Sequence, residues 1–180
     1  MATTEKSTTK VDAIALLKAD HRNLEGLFAK YEAATTRAQK RTLATQICTE
    51  LTIHTRLEED IFYPACKGVV DAALHDEAHV EHDAAKLMIA EIARDSGEDQ
   101  FHDAKVMVLK EEISHHVGEE ERAGVGLFAQ AKKGGLDLAE LGARMAEEKK
   151  RLTADYKANG LPMPDATTLV ATSIGQLAPA

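Results

Sequence analysis

Two His-x-x-x-Glu units, His54-Thr-Arg-Leu-Glu58 and His116-Val-Gly-Glu-Glu120, fall on separate stretches of helical apolar periodicity. Residues four apart on a helix share a face, with Cβ atoms roughly 5–6 Å apart. Each unit can therefore aim an imidazole nitrogen and a carboxylate at one point. His21 and His82 sit in the apolar stripes of two further stretches. Two such pairs and two lone histidines, spread over four helices, predict a two-metal site inside a helix bundle. A chain built this way must bring six polar side chains to one level of its core.

The periodicity supplies the helices. Asp12 is the expected N-cap of a helix over 12–35, where Ile14, Leu17, Leu24, Phe28 and Tyr31 follow steps of three and four. The step from Leu17 to Leu24 lands on His21. A second helix is expected over 37–66 with Pro64 in its final turn, and His54 and Glu58 lie in phase with Leu43, Ile47, Leu51 and Ile61. A third, over 69–95 and closed by Ser96-Gly97, carries Leu74, Ala78, His82, Ala85, Ile89 and Ile92 on one face. A fourth starts near residue 100, carries Val106, Leu109, Ile113, His116 and Glu120, and ends before Gly134-Gly135.

A last amphipathic segment over 136–157 presents Leu138, Leu141, Met145 and Leu152. The expected fold is all-α, an up-down antiparallel four-helix bundle with an additional C-terminal helix. Its parts are a flexible N-terminus (1–11), the bundle (12–134), the flanking helix (135–158) and a tail (159–180). Within that tail Leu169, Val170 and Ile174 offer apolar groups that can dock on the body.

Composition agrees. Aromatic residues are 4% of the 180, with no Trp, and the plentiful Ala, Leu, Glu and Lys favour helix. A net charge of −8 argues against a nucleic-acid partner, which needs a clustered basic surface. No run approaches the ~18–20 apolar residues of a membrane span, and residues 1–10 lack the apolar core of a signal peptide. The cytoplasm is the expected compartment. Cys48 and Cys66, about 27 Å apart on one helix at ~1.5 Å per residue, cannot bridge each other and read as free buried thiols.

Short connections make consecutive helices antiparallel neighbours. Counted from the expected helix ends, the four histidines then differ in level by at most about three residues, ~5 Å of rise. His75 is about 10 Å along the axis from His82 and His102 lies farther still, so both should miss the site. His79, one turn from His82, is a candidate further ligand or supporting group. His115 and Glu119 form a rival register, although the phase of Val106, Leu109 and Ile113 favours His116 and Glu120. Two Glu carboxylates in buried seams are costly without a cation. Imidazole with carboxylate suits Fe, Mn or Zn. The candidate ligands are His21, His54, Glu58, His82, His116 and Glu120; no catalytic side chain is assigned.

The runs Leu-Lys-Ala-Asp-His21-Arg-Asn-Leu, His54-Thr-Arg-Leu-Glu58-Glu-Asp-Ile-Phe-Tyr-Pro, Val-Glu-His82-Asp and His115-His-Val-Gly-Glu-Glu-Glu121 together resemble the hemerythrin-like (HHE cation-binding) family over roughly residues 12–156. The resemblance implies a non-haem di-iron centre with oxo or hydroxo bridging. His21, His54, His82 and His116 would be terminal ligands, and Glu58 and Glu120 would bridge the irons. Oxygen-carrying members have a further histidine at a position that is Ala78 here, with His79 one residue off. The family often continues its second Glu into Phe-Pro, whereas this chain has Gly124 and Gly126, expected as helix-interior glycines. The implied function is binding or sensing of O2, or of NO or peroxide. Competing readings are a di-iron peroxidase or catalase-like enzyme, and an iron-responsive binding module.

Overall fold

A computed structural model describes residues 12–95 and 99–169. The helices are α1 (Ala13–Ala33), α2 (Arg37–Leu57), α3 (Tyr63–Cys66), α4 (Ala72–Arg94), α5 (His102–Glu120), α6 (Leu127–Lys133) and α7 (Leu138–Asn159). There is no strand among the described residues. Helices α1, α2, α4 and α5 form the up-down bundle, with α1 on α2 and α4 on α5, while α7 packs on α1 and α2 as the additional C-terminal helix. No helix among the described residues is long and apolar enough to cross a membrane.

Local chemistry sets the helix starts. Asp12 caps α1 by accepting from the Ala15 amide, as its position predicts. Thr36 and Gln39 form a reciprocal capping box at α2. Asp71 accepts from Ala73 and Leu74 at α4, and Asp137 from Glu140 at α7. Gly160, at φ 83°, closes α7 in a conformation that favours glycine.

Two departures from the expected helices matter for the core. The second helix is not uniformly α-helical. Between α2 and α3 the chain makes a π-helical turn, Glu58–Phe62, in which the Tyr63 amide reaches back to the Glu58 carbonyl. Pro64 supplies a physical reason: it has no N–H, and its ring would press on the carbonyl one α-turn back, so a wider turn relieves the clash. The fourth helix stops at Glu120 instead of running toward Gly134. Gly124, at φ 77°, turns the chain before α6 begins. Gly124 and Gly126 are thus loop residues, not helix-interior ones.

Among the described residues, apolar side chains pack in two clusters. One gathers Leu17, Ile53, Leu57, Phe62, Leu127, Phe128 and Met145. The other gathers Leu24, Phe28, Ile47, Leu51, Ile89, Leu109 and Ile113. Buried polar side chains, His21, His54, Glu58, His82, His116 and Glu120, accompany them in the interior. Cys48 and Cys66 are free and buried, and burial pushes both thiols up to about 12. The expected flexible segment 1–11, the Ser96-Gly97 closure, Val170 and Ile174 lie outside the described residues.

Candidate metal centre

The six candidate ligands converge. His21 and His54 face each other with Nε2 atoms 3.2 Å apart. His82 and His116 repeat the arrangement at the same distance. The glutamates tie the two pairs together. Glu58 Oε2 lies 3.2 Å from His54 Nε2 and 3.3 Å from His82 Nε2. Glu120 Oε2 lies 3.4 Å from His21 Nε2 and 3.6 Å from His116 Nε2. One set of ligand atoms, from His21, His54, Glu58 and Glu120, lies mutually within 4.8 Å, as does another from Glu58, His82 and His116. Glu58 belongs to both.

Three of the four outward nitrogens are hydrogen-bonded by a second ring of carboxylates, and a fourth carboxylate faces His54. Glu121 accepts from His21 Nδ1 at 2.8 Å, Glu59 from His82 Nδ1 at 3.0 Å, and Glu81 from His116 Nδ1 at 2.8 Å. Asp20 faces His54 Nδ1 at 3.9 Å and is fixed from α7 by Lys149. An ionised carboxylate can only accept, so each hydrogen-bonded Nδ1 carries the proton and Nε2 can offer a lone pair inward. The ring is cyclic. Each carboxylate adjoins a candidate ligand in sequence but faces the histidine of the next helix: from α1 to α2, from the π-helical turn after α2 to α4, from α4 to α5, and from the end of α5 back to α1. One residue is ~100° of helical rotation, which turns the adjacent side chain from the core toward the neighbouring helix.

The metal-free electrostatics are set by burial against charge. Burial opposes protonation of His54, but Glu58, Asp20 and Glu120 overcome it and raise its pKa to about 10. His82, with Glu58 and Glu59 beside it, is raised likewise to about 9. Burial pushes the Glu58 carboxyl up, yet His54 and His82 bring it well below its ordinary range. Glu59 and Glu81 are also lowered, as histidine contacts outweigh their burial.

The donor set passes a test of fit to a metal pair. Both oxygens of fully buried Glu58, and Oε2 of Glu120, accept no well-aligned hydrogen bond. Such groups are costly unless a cation takes their lone pairs. Paired imidazole nitrogens with carboxylates between them suit Fe, Mn or Zn. The nearby lysines do not neutralise Glu58 or Glu120: Lys86 pairs with Glu59 and Asp83, and Lys149 with Asp20.

The remaining histidines sort out clearly. The His115 side chain is 63% exposed whereas that of His116 is 3%, so His116 and Glu120 are the inward register. His75 and His79 stack edge-on with each other beside Tyr63 and belong to neither ligand set. His102 pairs with Asp95 at 2.6 Å, beside Tyr31.

Tyr63 was not foreseen. Its hydroxyl donates to Glu120 Oε1 at 3.1 Å and stands 3.3 Å from His82 Nε2. Burial, then the charges of Glu120 and Glu58, hold its pKa well above the usual phenol value. The π-helical turn adds one residue to the spacing and carries Tyr63 toward the face that holds Glu58. Pro64, the next residue, was the available signal. Phe128 of α6 stacks on His21 with ring centroids 5.7 Å apart. A small cleft of about 160 Å³, lined by His21, Leu24, Phe28, Ile113 and Val117 among others, opens between α1 and α5.

Comparison with known proteins places the architecture. The Hemerythrin HHE cation binding domain family matches residues 12–125. An uncharacterized protein of Mycobacterium tuberculosis, Rv2633c, is 27% identical over 143 residues, spanning 79% of this chain and 88% of that protein. Its counterpart in Mycobacterium bovis, Mb2666c, matches to the same extent. The crystal structure of a Hemerythrin HHE cation binding domain-containing protein from Mycobacterium kansasii, a homolog of Rv2633c, superposes with a TM-score of 0.69 at 26% identity, over 84% of this chain and 95% of that one.

Proposed function

Because the chain belongs to the hemerythrin HHE cation-binding domain family, we propose that it holds two iron ions in its buried histidine–glutamate cluster and binds or senses O2 or a related small oxidant there. In this reading His21 and His54 would hold one ion and His82 and His116 the other, with Glu58 and Glu120 supplying carboxylate oxygens between the two pairs. Mn or Zn suits the same donors. A pair of irons, when bound, supplies reversible electron transfer to a small oxidant.

The observation that carries the proposal is the geometry of Glu58. Its buried oxygens accept no well-aligned hydrogen bond, and one of them lies between the imidazoles of both histidine pairs. Glu121, Glu59 and Glu81 keep the Nε2 atoms of His21, His82 and His116 oriented inward, which raises the basicity of these imidazoles as donors. The cleft against His21 admits a molecule of diatomic size between Leu24, Phe28 and Ile113. Leu17, Leu24, Leu51, Ile61, Ile89 and Ile113 are all buried and give the interior an apolar wall. The buried free thiols fit a reducing, cytoplasmic setting.

A second reading, turnover of peroxide, draws support from Tyr63. Its hydroxyl is a proton donor beside both Glu120 and His82, a placement suited to moving protons during turnover. Metal analysis with an anaerobic-to-aerobic optical titration tests the two. Two irons per chain with a reversible visible band support binding. Irreversible oxidation with peroxide consumption moves the assignment to the enzyme. A folded chain that takes up neither iron nor manganese overturns both.

A further inference from the structure

Beyond Gly160 the chain leaves α7 and reaches α4, where three consecutive residues close on a single atom. The backbone amides of Thr167, Thr168 and Leu169 and the Thr168 hydroxyl all donate to Asp83 Oδ2, with the Thr167 amide at 2.8 Å and the hydroxyl at 2.7 Å. Asp83 is 1% exposed. Its other oxygen accepts from Lys86 Nζ at 3.0 Å, and Lys86 donates at 2.9 Å to Glu59, the carboxylate that holds His82 Nδ1. An unbroken chain of charge-assisted hydrogen bonds thus runs from the C-terminal strap to a candidate ligand.

We propose that Asp83 is a positioning residue and the 161–169 strap its latch: together they fix Lys86 and Glu59, and through them the orientation of His82, so that strap docking and metal affinity are coupled. The coupling to metal rests on the reading above that His82 is a ligand; the mechanical link to His82 does not. A buried lysine shared by two carboxylates is held only while both are fixed. Releasing the strap strips Asp83 Oδ2 of its four donors and frees the carboxylate to turn, which loosens its other oxygen on Lys86 and so the lysine that is shared with Glu59. Coupling is reciprocal, so metal at His82 must in turn strengthen strap docking. The strap is thereby the part of the molecule through which metal loading becomes visible from outside.

Thr168→Pro tests this in the full chain, because it removes an amide and a hydroxyl donor at a position outside every helix. Asp83→Asn is the companion: its amide oxygen can still accept from the strap but offers no charge to Lys86. Three readouts apply: Fe(II) affinity by anaerobic chelator competition, the 15N resonances of the His82 ring in metal-free protein, and amide hydrogen exchange over 161–169 with and without Fe(II). The expected result is an affinity loss of about 10-fold for each variant, at the low end for partners of metal-ligating histidines. Both variants also shift the His82 ring resonances, and Fe(II) slows strap exchange in the parent chain. A Thr168→Pro protein with parental affinity and an unmoved His82 ring overturns the latch. If the parent chain takes up no Fe(II) but Thr168→Pro still moves the His82 ring, the metal reading fails and the latch stands.

Discussion

Glu81 precedes His82 on α4, yet its carboxylate accepts from Nδ1 of His116 on α5, at 2.8 Å. The same displacement by one helix recurs in the hydrogen bonds of Glu59 and Glu121, and in Asp20, which faces His54 at 3.9 Å, so the outer ring links the helices of the bundle to one another as well as orienting the imidazoles it bonds.

Glu81→Gln keeps the size of the side chain and removes its charge. Metal affinity is expected to fall about 10-fold or more, with helix content unchanged, because the carboxylate no longer raises the basicity of His116. Competition titration with Fe(II) or Zn(II) reads this directly. Parental affinity would mean that the outer ring is only packing.

Tyr63→Phe deletes one oxygen from a fully buried position. The ring contacts with Phe62, His75 and His79 survive, while Glu120 Oε1 loses its donor. Loss of a donor to a buried carboxylate predicts destabilisation of the metal-free protein by about 1–3 kcal/mol. Urea unfolding of the two metal-free proteins measures it. If peroxide turnover is the activity, its rate should drop while iron content stays at the parental level.

The pH dependence follows from His54 and His82. Their folded pKa values of about 10 and about 9 are raised above the unfolded value of about 6.5. Their contribution to metal-free stability is therefore complete below about pH 6.5 and is lost as pH rises through 9 to 10. The lowered Glu58 pKa acts in the opposite sense, its contribution being lost only as pH falls below the carboxylate range. The denaturation midpoint of metal-free protein should decline from pH 7 to 10. Metal binding at pH 7 should release about two protons, so affinity rises with pH. Calorimetry in buffers of different ionisation enthalpy counts the protons, and a count of zero would contradict the assignment of both histidines as ligands.

Gly126→Ala probes the turn behind Glu120. A Cβ at residue 126 would lie 2.5 Å from the Glu119 carbonyl oxygen and 2.6 Å from that of Glu120. These neighbours are backbone, so the end of α5 must shift. A cost of about 1–3 kcal/mol is expected, seen as a melting temperature lower by several degrees. Metal affinity should fall with it, since Glu120 is on the displaced turn. An unchanged melting curve would show that the loop absorbs the methyl group elsewhere.

The sequence by itself determined where the bundle helices lie, though not every end, and which side chains face inward. Spacing of four within one α-helix fixes a shared face whatever the neighbours do, so His54 with Glu58, and His116 with Glu120, were legible, as were His21 and His82 from the apolar stripes around them. Tertiary structure decided the rest. Which carboxylate serves which histidine depends on the rotation of each helix against the next, and no single-helix period carries that angle. Tyr63 reached the site through a π-helical turn that α-helical counting cannot place. Helix α5 ended at Glu120 because Gly124 and Gly126 permit a tight turn there, although the apolar pattern alone allowed it to continue. The strap on Asp83 joins residues more than 80 apart, a pairing that local propensity does not encode and only the packed bundle brings together.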